Sequence, residues 1–151
     1  MTTTLHIKLA QDGSGWPPYD SEEVAVEKVG EDEYRLLTPP MFAKGLAVGD
    51  VVHAHEYGDP PVPWIASLVS SSGHSTIRVI TRLGFDEEAT VARLTAAGLA
   101  LKPTTLLGLH LADLPAERQY GPILAELATL ADAGQIDFEE AALSPSHAEA
   151  L

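Results

Sequence analysis

The stretch Phe42-Ala-Lys-Gly-Leu-Ala-Val-Gly-Asp-Val-Val52 decides the reading of the fold. Val48-Gly49-Asp50 forms a tight turn that delivers the chain into a strand over Val51–Tyr57. Glycine reaches positive φ without steric cost, aspartate caps its own turn, and valines favour a pleated surface. Upstream of this turn the pattern is one of short strands. Downstream, helices enter.

Leu5, Ile7 and Leu9 alternate with His6 and Lys8, the period of a half-buried strand. Gln11-Asp-Gly-Ser-Gly-Trp-Pro-Pro18 is a loop. Val24–Val29 and Tyr34–Leu37 are predicted as a hairpin around Gly30-Glu-Asp-Glu33. Thr38-Pro39-Pro40 interrupts the sheet, because proline cannot donate to a ladder. After Val51–Tyr57, Gly58–Pro63 turns the chain into a strand over Trp64–Val69. About five short strands with Gly/Pro turns suggest a small barrel or a strongly bent sheet over residues 1–70.

Ser70-Ser-Ser-Gly73 is a joint. Thr76–Arg82 is the next strand. Asp86 then caps a helix with Glu87 and Glu88 in its first turn, a buried stripe of Val91, Leu94 and Thr95, and a stop at Gly98. Leu99–Leu101 and Thr105–Leu111 are read as strands. A second helix starts near Gly121-Pro122, buries Ile123, Leu124, Leu127, Leu130 and Ala131, and ends at Gly134. Ile136–Phe138 is the last strand, and residues 144–151 are expected to fray. Residues 74–143 thus follow a β-α-β-β-α-β order, the ferredoxin-like pattern, with Thr76–Arg82 central. The fold class is α+β: a small β-barrel-like N-terminal half packed with a ferredoxin-like C-terminal half.

The 151 residues carry 22 acids against 9 bases, a net charge of −13. The acids fall in both halves, so the acidity is not a tail. Such a surface repels phosphate backbones and anionic lipid, which argues against nucleic-acid and membrane partners and permits a basic polypeptide. There is no cysteine, hence no thiol nucleophile, thiolate metal site or disulfide. No secretory signal and no apolar run of membrane-spanning length is visible, which makes the cytoplasm the expected location.

Four stretches together resemble a bacterial family of uncharacterised domains, the family 4265 type. They are Gln11–Pro18, Gly30-Glu-Asp-Glu-Tyr-Arg-Leu36, Phe42–Val52 and Thr76-Ile-Arg-Val-Ile80, and the resemblance runs from about Leu5 to Phe138. It implies a bacterial accessory protein and brings no catalytic residue. The chain departs from the family pattern in the Pro-rich turn Asp59–Pro63 and in the histidines of Val51–Tyr57.

Few residues point to chemistry. His53 and His55, at i and i+2 of a strand, share one face and are the candidate metal ligands, with His74 or Glu56 as a conceivable third. That third ligand is not evident, so no metal or other cofactor is expected. His110, between Leu109 and Leu111, is assigned to the less apolar side of its strand and to structure. The pairs Glu22-Glu23 and Glu139-Glu140 are read as solvated strand ends. No nucleophile elbow or phosphate loop is present. Trp16 and Tyr19 beside Pro17-Pro18, with Phe42, Lys44 and Trp64, are the candidate binding residues, since aromatic rings in a Pro-flanked loop form rigid contact surface. The expectation is a non-enzymatic accessory protein that binds a peptide or protein, of the biosynthetic-helper or immunity type. The alternative is a small metal-dependent enzyme using His53 and His55.

Overall fold

The computed structural model describes residues 2–149. The protein is of mixed α+β class with two sheets, and it divides into two compact units, Met1–Ser72 and Gly73–Leu151.

The first unit contains β1 (Thr2–Lys8), β2 (Ser21–Gly30), β3 (Glu33–Leu36), β4 (Val51–Tyr57) and β5 (Val62–Ser70). Neighbours in sequence pair antiparallel, and β1 also pairs β5 in parallel at His6↔Trp64, so the sheet closes on itself. Alternation sorts the side chains. Leu5 and Ile7 of β1, Val24 and Val26 of β2, and Val52 and Ala54 of β4 are buried on the inner face. Each of the leucine, isoleucine and valine side chains contributes on the order of 2 kcal/mol when fully removed from water, and Ala54 about 1 kcal/mol or less.

The turn before β4 is fixed from several sides. Gly49 has φ +85°, and a Cβ there would lie 2.9 Å from Ser72 Cβ. The buried Asp50 carboxylate accepts the Ala47 N–H at 2.9 Å and the Ser72 N–H at 2.8 Å. The Gly49 N–H donates to Leu36 O at 2.8 Å and the Leu36 N–H to Asp50 O at 2.9 Å, which extends the β3–β4 pairing into the turn.

The second unit runs β6 (Ser75–Thr81), α1 (Glu87–Ala97), β7 (Lys102–Pro103), β8 (Leu109–Leu114), α2 (Gly121–Asp132), β9 (Ile136–Ala142) and α3 (Pro145–Glu149). The strand order is β7-β8-β6-β9, all antiparallel, with β6 between β8 and β9. Ile77 and Val79 of β6 and Ala112 and Leu114 of β8 form one core with Leu94 of α1 and Ile123, Leu127 and Leu130 of α2. Both helices therefore lie on the same sheet face. Asp86 accepts the Ala89 N–H at 3.1 Å, and Gly98 closes α1 at φ +110°.

Five expectations need correction. Thr95 is exposed, and Thr90 is the buried partner of Leu94, four residues on and hence on the same helix face. Leu99–Leu101 is not a strand; Leu99 instead closes the end of α1, its N–H donating to Leu94 O. Thr105–Gly108 is a turn, because Thr104 Oγ1 takes the Leu106 N–H and Gly108 has φ +84°. His110 shares the helix-covered face with Ala112 and Leu114, since alternate residues of a strand point the same way. Residues 144–149 do not fray: α3 docks through His147, only 2% exposed. The last two residues of that expected tail lie outside the described residues.

Candidate functional site

Between β1 and β2 the loop is locked by one side chain. Asp12 Oδ1 accepts the Ser14 N–H at 2.8 Å, the Ser14 hydroxyl, and the Trp16 N–H at 3.1 Å. The Asp12 N–H donates back to Trp16 O at 2.7 Å, and Gln11 Nε2 donates to Pro17 O at 3.0 Å. These donors hold the Asp12 carboxyl below its ordinary range, the Ser14 hydroxyl first, then the two backbone N–H groups, with a further contribution from the Lys44 ammonium. The loop backbone is thus fastened by contacts within the chain itself.

What the loop presents is aromatic. Trp16 packs edge-on against Phe42 with ring centroids 5.5 Å apart, and Tyr19 packs on Phe42 at 5.8 Å. Phe42 is buried, 7% exposed, whereas Trp16 is 38% and Tyr19 56% exposed. Edge-to-face and tilted contacts of this length are the favoured geometries of aromatic pairs. Phe42 itself is fixed by Glu22, whose carboxylate accepts the N–H groups of Met41 at 2.8 Å, Phe42 at 2.9 Å and Ala43 at 2.7 Å. Glu22 was expected to be a solvated strand end. The signal that identifies it is the Pro39-Pro40 interruption: the N–H groups just after it leave the ladder and require another acceptor.

Of the candidate binding residues, Trp16, Tyr19 and Phe42 thus come together, with Lys44 close enough to act on Asp12. Trp64 does not join them. It faces outward from β5 against His6, ring centroids 5.2 Å apart, and its register partner on β4 is His55.

His53 and His55 do share the outward face of β4, but they are used separately. His53 Nε2 lies 3.7 Å from the Glu33 carboxylate, and the His55 ring meets Tyr57 edge-on at 6.5 Å. Glu56 points to the other face, and His74 Nδ1 is hydrogen-bonded to Asp113 at 2.7 Å in the second unit. Among the described residues no group of three His, Asp or Glu side chains is arranged to hold a metal ion.

The second unit contains two buried histidines. His110 Nε2 lies 2.8 Å from Glu87 Oε1 at the start of α1, and its Nδ1 is buried with no hydrogen-bond partner among the described residues. His147 Nδ1 meets the Ser75 hydroxyl and, at 3.0 Å, that of Ser144, while its Nε2 donates to Pro115 O at 3.0 Å. With Nε2 on a carbonyl, Nδ1 is the acceptor. Ser75 Oγ in turn accepts the Ser144 N–H at 2.9 Å. Serine beside histidine resembles a nucleophile and its base, but Ser75 is fully buried, and among the described residues the imidazole is oriented by the Pro115 carbonyl and not by a carboxylate. The arrangement is an anchor for α3. Glu139, also expected to be solvated, pairs with the buried Arg78 at 2.8 Å across β9 and β6.

No curated protein matches the sequence. In structure the chain is similar to a hypothetical protein from Neisseria gonorrhoeae, with a TM-score of 0.77, 16% identity, and coverage of 95% of this chain and 96% of that one. This likeness shows a shared fold. No helix is long and apolar enough to cross a membrane. The family profile of a domain of unknown function (DUF4265) matches residues 22–138 and includes the hairpin, the Phe42–Val52 stretch and the Thr76–Ile80 strand, so the chain belongs to that family.

Proposed function

We propose that this protein is a non-enzymatic accessory protein that binds a polypeptide through the Trp16–Tyr19–Phe42 surface. One observation carries the reading: two aromatic rings stay exposed on a buried third, in a loop whose backbone is already fastened by Asp12 and Glu22. Aromatic anchors with few internal rotations and a preset backbone lose little entropy on binding. Net charge favours a basic partner. The scaffold on this reading is a small β-barrel, because β1 meets β5, followed by a ferredoxin-like unit, because β6 lies between β8 and β9. Among the described residues β5 has no pairing with β1 beyond Trp64, and Ala66–Ser70 are exposed, which offers a strand edge for a peptide to extend.

Selection from a displayed peptide library, followed by titration of the selected peptides, tests the reading. Trp16→Ala should weaken binding by about 2 kcal/mol or more, as expected of an aromatic hot spot, with the melting temperature unchanged. A Trp16→Ala protein that binds as tightly as the parent, or that melts early, removes the anchor.

A further inference from the structure

We infer that the second unit carries a separate docking surface for a basic, leucine-rich polypeptide segment, formed by Leu83 and Phe85 after β6 and Leu107 before β8. Leu83 is 96% and Leu107 93% exposed, and Phe85 is also exposed. Single exposed apolar residues are ordinary, but large ones gathered on adjoining loops mark interaction sites. These loops do adjoin. Thr81 N–H donates to Gly108 O at 2.9 Å, so the chain segments two residues before Leu83 and one after Leu107 are hydrogen-bonded to each other.

The loops are also preset. Thr104 Oγ1 accepts the Leu106 N–H at 3.1 Å and lies 2.9 Å from Leu109 O, and the Leu109 N–H donates to Leu106 O at 3.1 Å. The Arg82 N–H donates to Gln135 O at 3.0 Å, which fixes the start of the other loop. A side chain nearly free of contacts on a backbone so constrained gains nothing for the fold. It is placed for a partner on a backbone whose ordering cost is already met, which leaves only the side-chain rotamers to be fixed on binding.

Charge selects the partner. The apolar residues are followed by Asp86, Glu87 and Glu88, and Asp137 lies alongside. Against them stand Arg82, already in an ion pair with Asp137 at 2.7 Å, His110, whose imidazole engages one Glu87 oxygen at 2.8 Å, and Lys102 on β7, which leaves Asp86 and Glu88 as the uncompensated acids of this group among the described residues. A second copy of this chain would bring the same acidic rim and a further net charge of −13. Anionic lipid is repelled in the same way. A segment with leucines between lysines or arginines satisfies both the apolar centre and the acidic rim.

The test uses a fluorescent peptide of alternating leucine and lysine, its alanine–lysine counterpart, and the full chain at about 0.15 M salt. The parent should bind the leucine–lysine peptide at least ~10-fold more tightly than the alanine–lysine one. Leu83→Ser with Leu107→Ser should remove that preference, a ~10-fold loss consistent with two apolar contacts, at an unchanged melting temperature. Trp16→Ala, which disables the other surface, should leave the preference intact. A double-serine variant that binds as the parent does overturns the inference, whatever Trp16→Ala does. Sedimentation showing a dimer that the serine variant abolishes assigns the patch to a second copy instead. Binding of the parent to phosphatidylcholine vesicles, lost in the variant, assigns it to lipid. Either result also overturns the inference.

Discussion

Tyr120 shows how one buried hydroxyl shapes stability. Its side chain is fully buried in the core of the second unit, and its Oη has no partner in hydrogen-bond geometry among the described residues. Burial first, and the nearby Glu140 carboxylate second, push its pKa far up. The unfolded chain would release this proton near pH 10 whereas the folded chain keeps it, so the associated stability is full below about pH 10 and is lost as pH rises above it. Tyr120→Phe removes a desolvated hydroxyl and keeps the ring. It should be neutral at pH 7 or stabilise by up to ~1 kcal/mol. It should also remove the part of the alkaline loss that belongs to this residue. Thermal denaturation of both proteins at neutral and alkaline pH checks this. A marked fall in the melting temperature at pH 7 would show that the hydroxyl has a partner after all.

Elements were legible where their signals are local. Asp86 caps α1 and Gly98 ends it, Pro122 stands in the first turn of α2, and β6 is central, each as its neighbours in sequence imply. The errors arose where a distant partner decides. Thr104 can be recognised as a staple only when Leu109 is known to return beside it. Glu22 looks solvated until the N–H groups of Met41–Ala43 arrive some twenty residues later. The rings of Trp16 and Tyr19 meet at Phe42 beside the Pro-flanked loop, whereas Trp64 packs against His6, because pairing register and not composition places that ring. The end of the chain is the sharpest case. Ser144–Glu149 is short and polar, and its docking depends on Ser75 and Pro115, many residues away. His147→Ala would take one hydrogen bond from each of the Ser75 hydroxyl and the Pro115 carbonyl, which keep the Ser144 and Arg118 N–H groups, and would open a cavity, so it should destabilise by about 2–4 kcal/mol. A merely frayed end would show no change. Denaturant unfolding, with hydrogen exchange over 144–149 as a second readout, separates the two.

At the scale of the whole molecule, charge and contact surface have different kinetic roles. Residues 1–73 carry 11 acids and 4 bases, or −7, and residues 74–151 carry 11 and 5, or −6, together the −13 of the chain. For the basic polypeptide proposed above, a field of one sign over both units would raise the rate of encounter. It does not hold the partner, since exposed charges are screened beyond roughly 8 Å at physiological ionic strength. On the proposed reading, retention falls to desolvated apolar contact, with the Trp16–Tyr19 pair on Phe42 and the leucines of the second unit as its anchors. The two contributions therefore separate in a kinetic experiment with a basic peptide. Raising the salt should slow association several-fold and change dissociation little, as for other steered pairs. Trp16→Ala should do the reverse, speeding dissociation while leaving the salt dependence of association as it was. Association that ignores salt would remove charge steering from the account, even if the aromatic anchor survives. Dissociation that ignores Trp16→Ala would remove the anchor, even if steering survives.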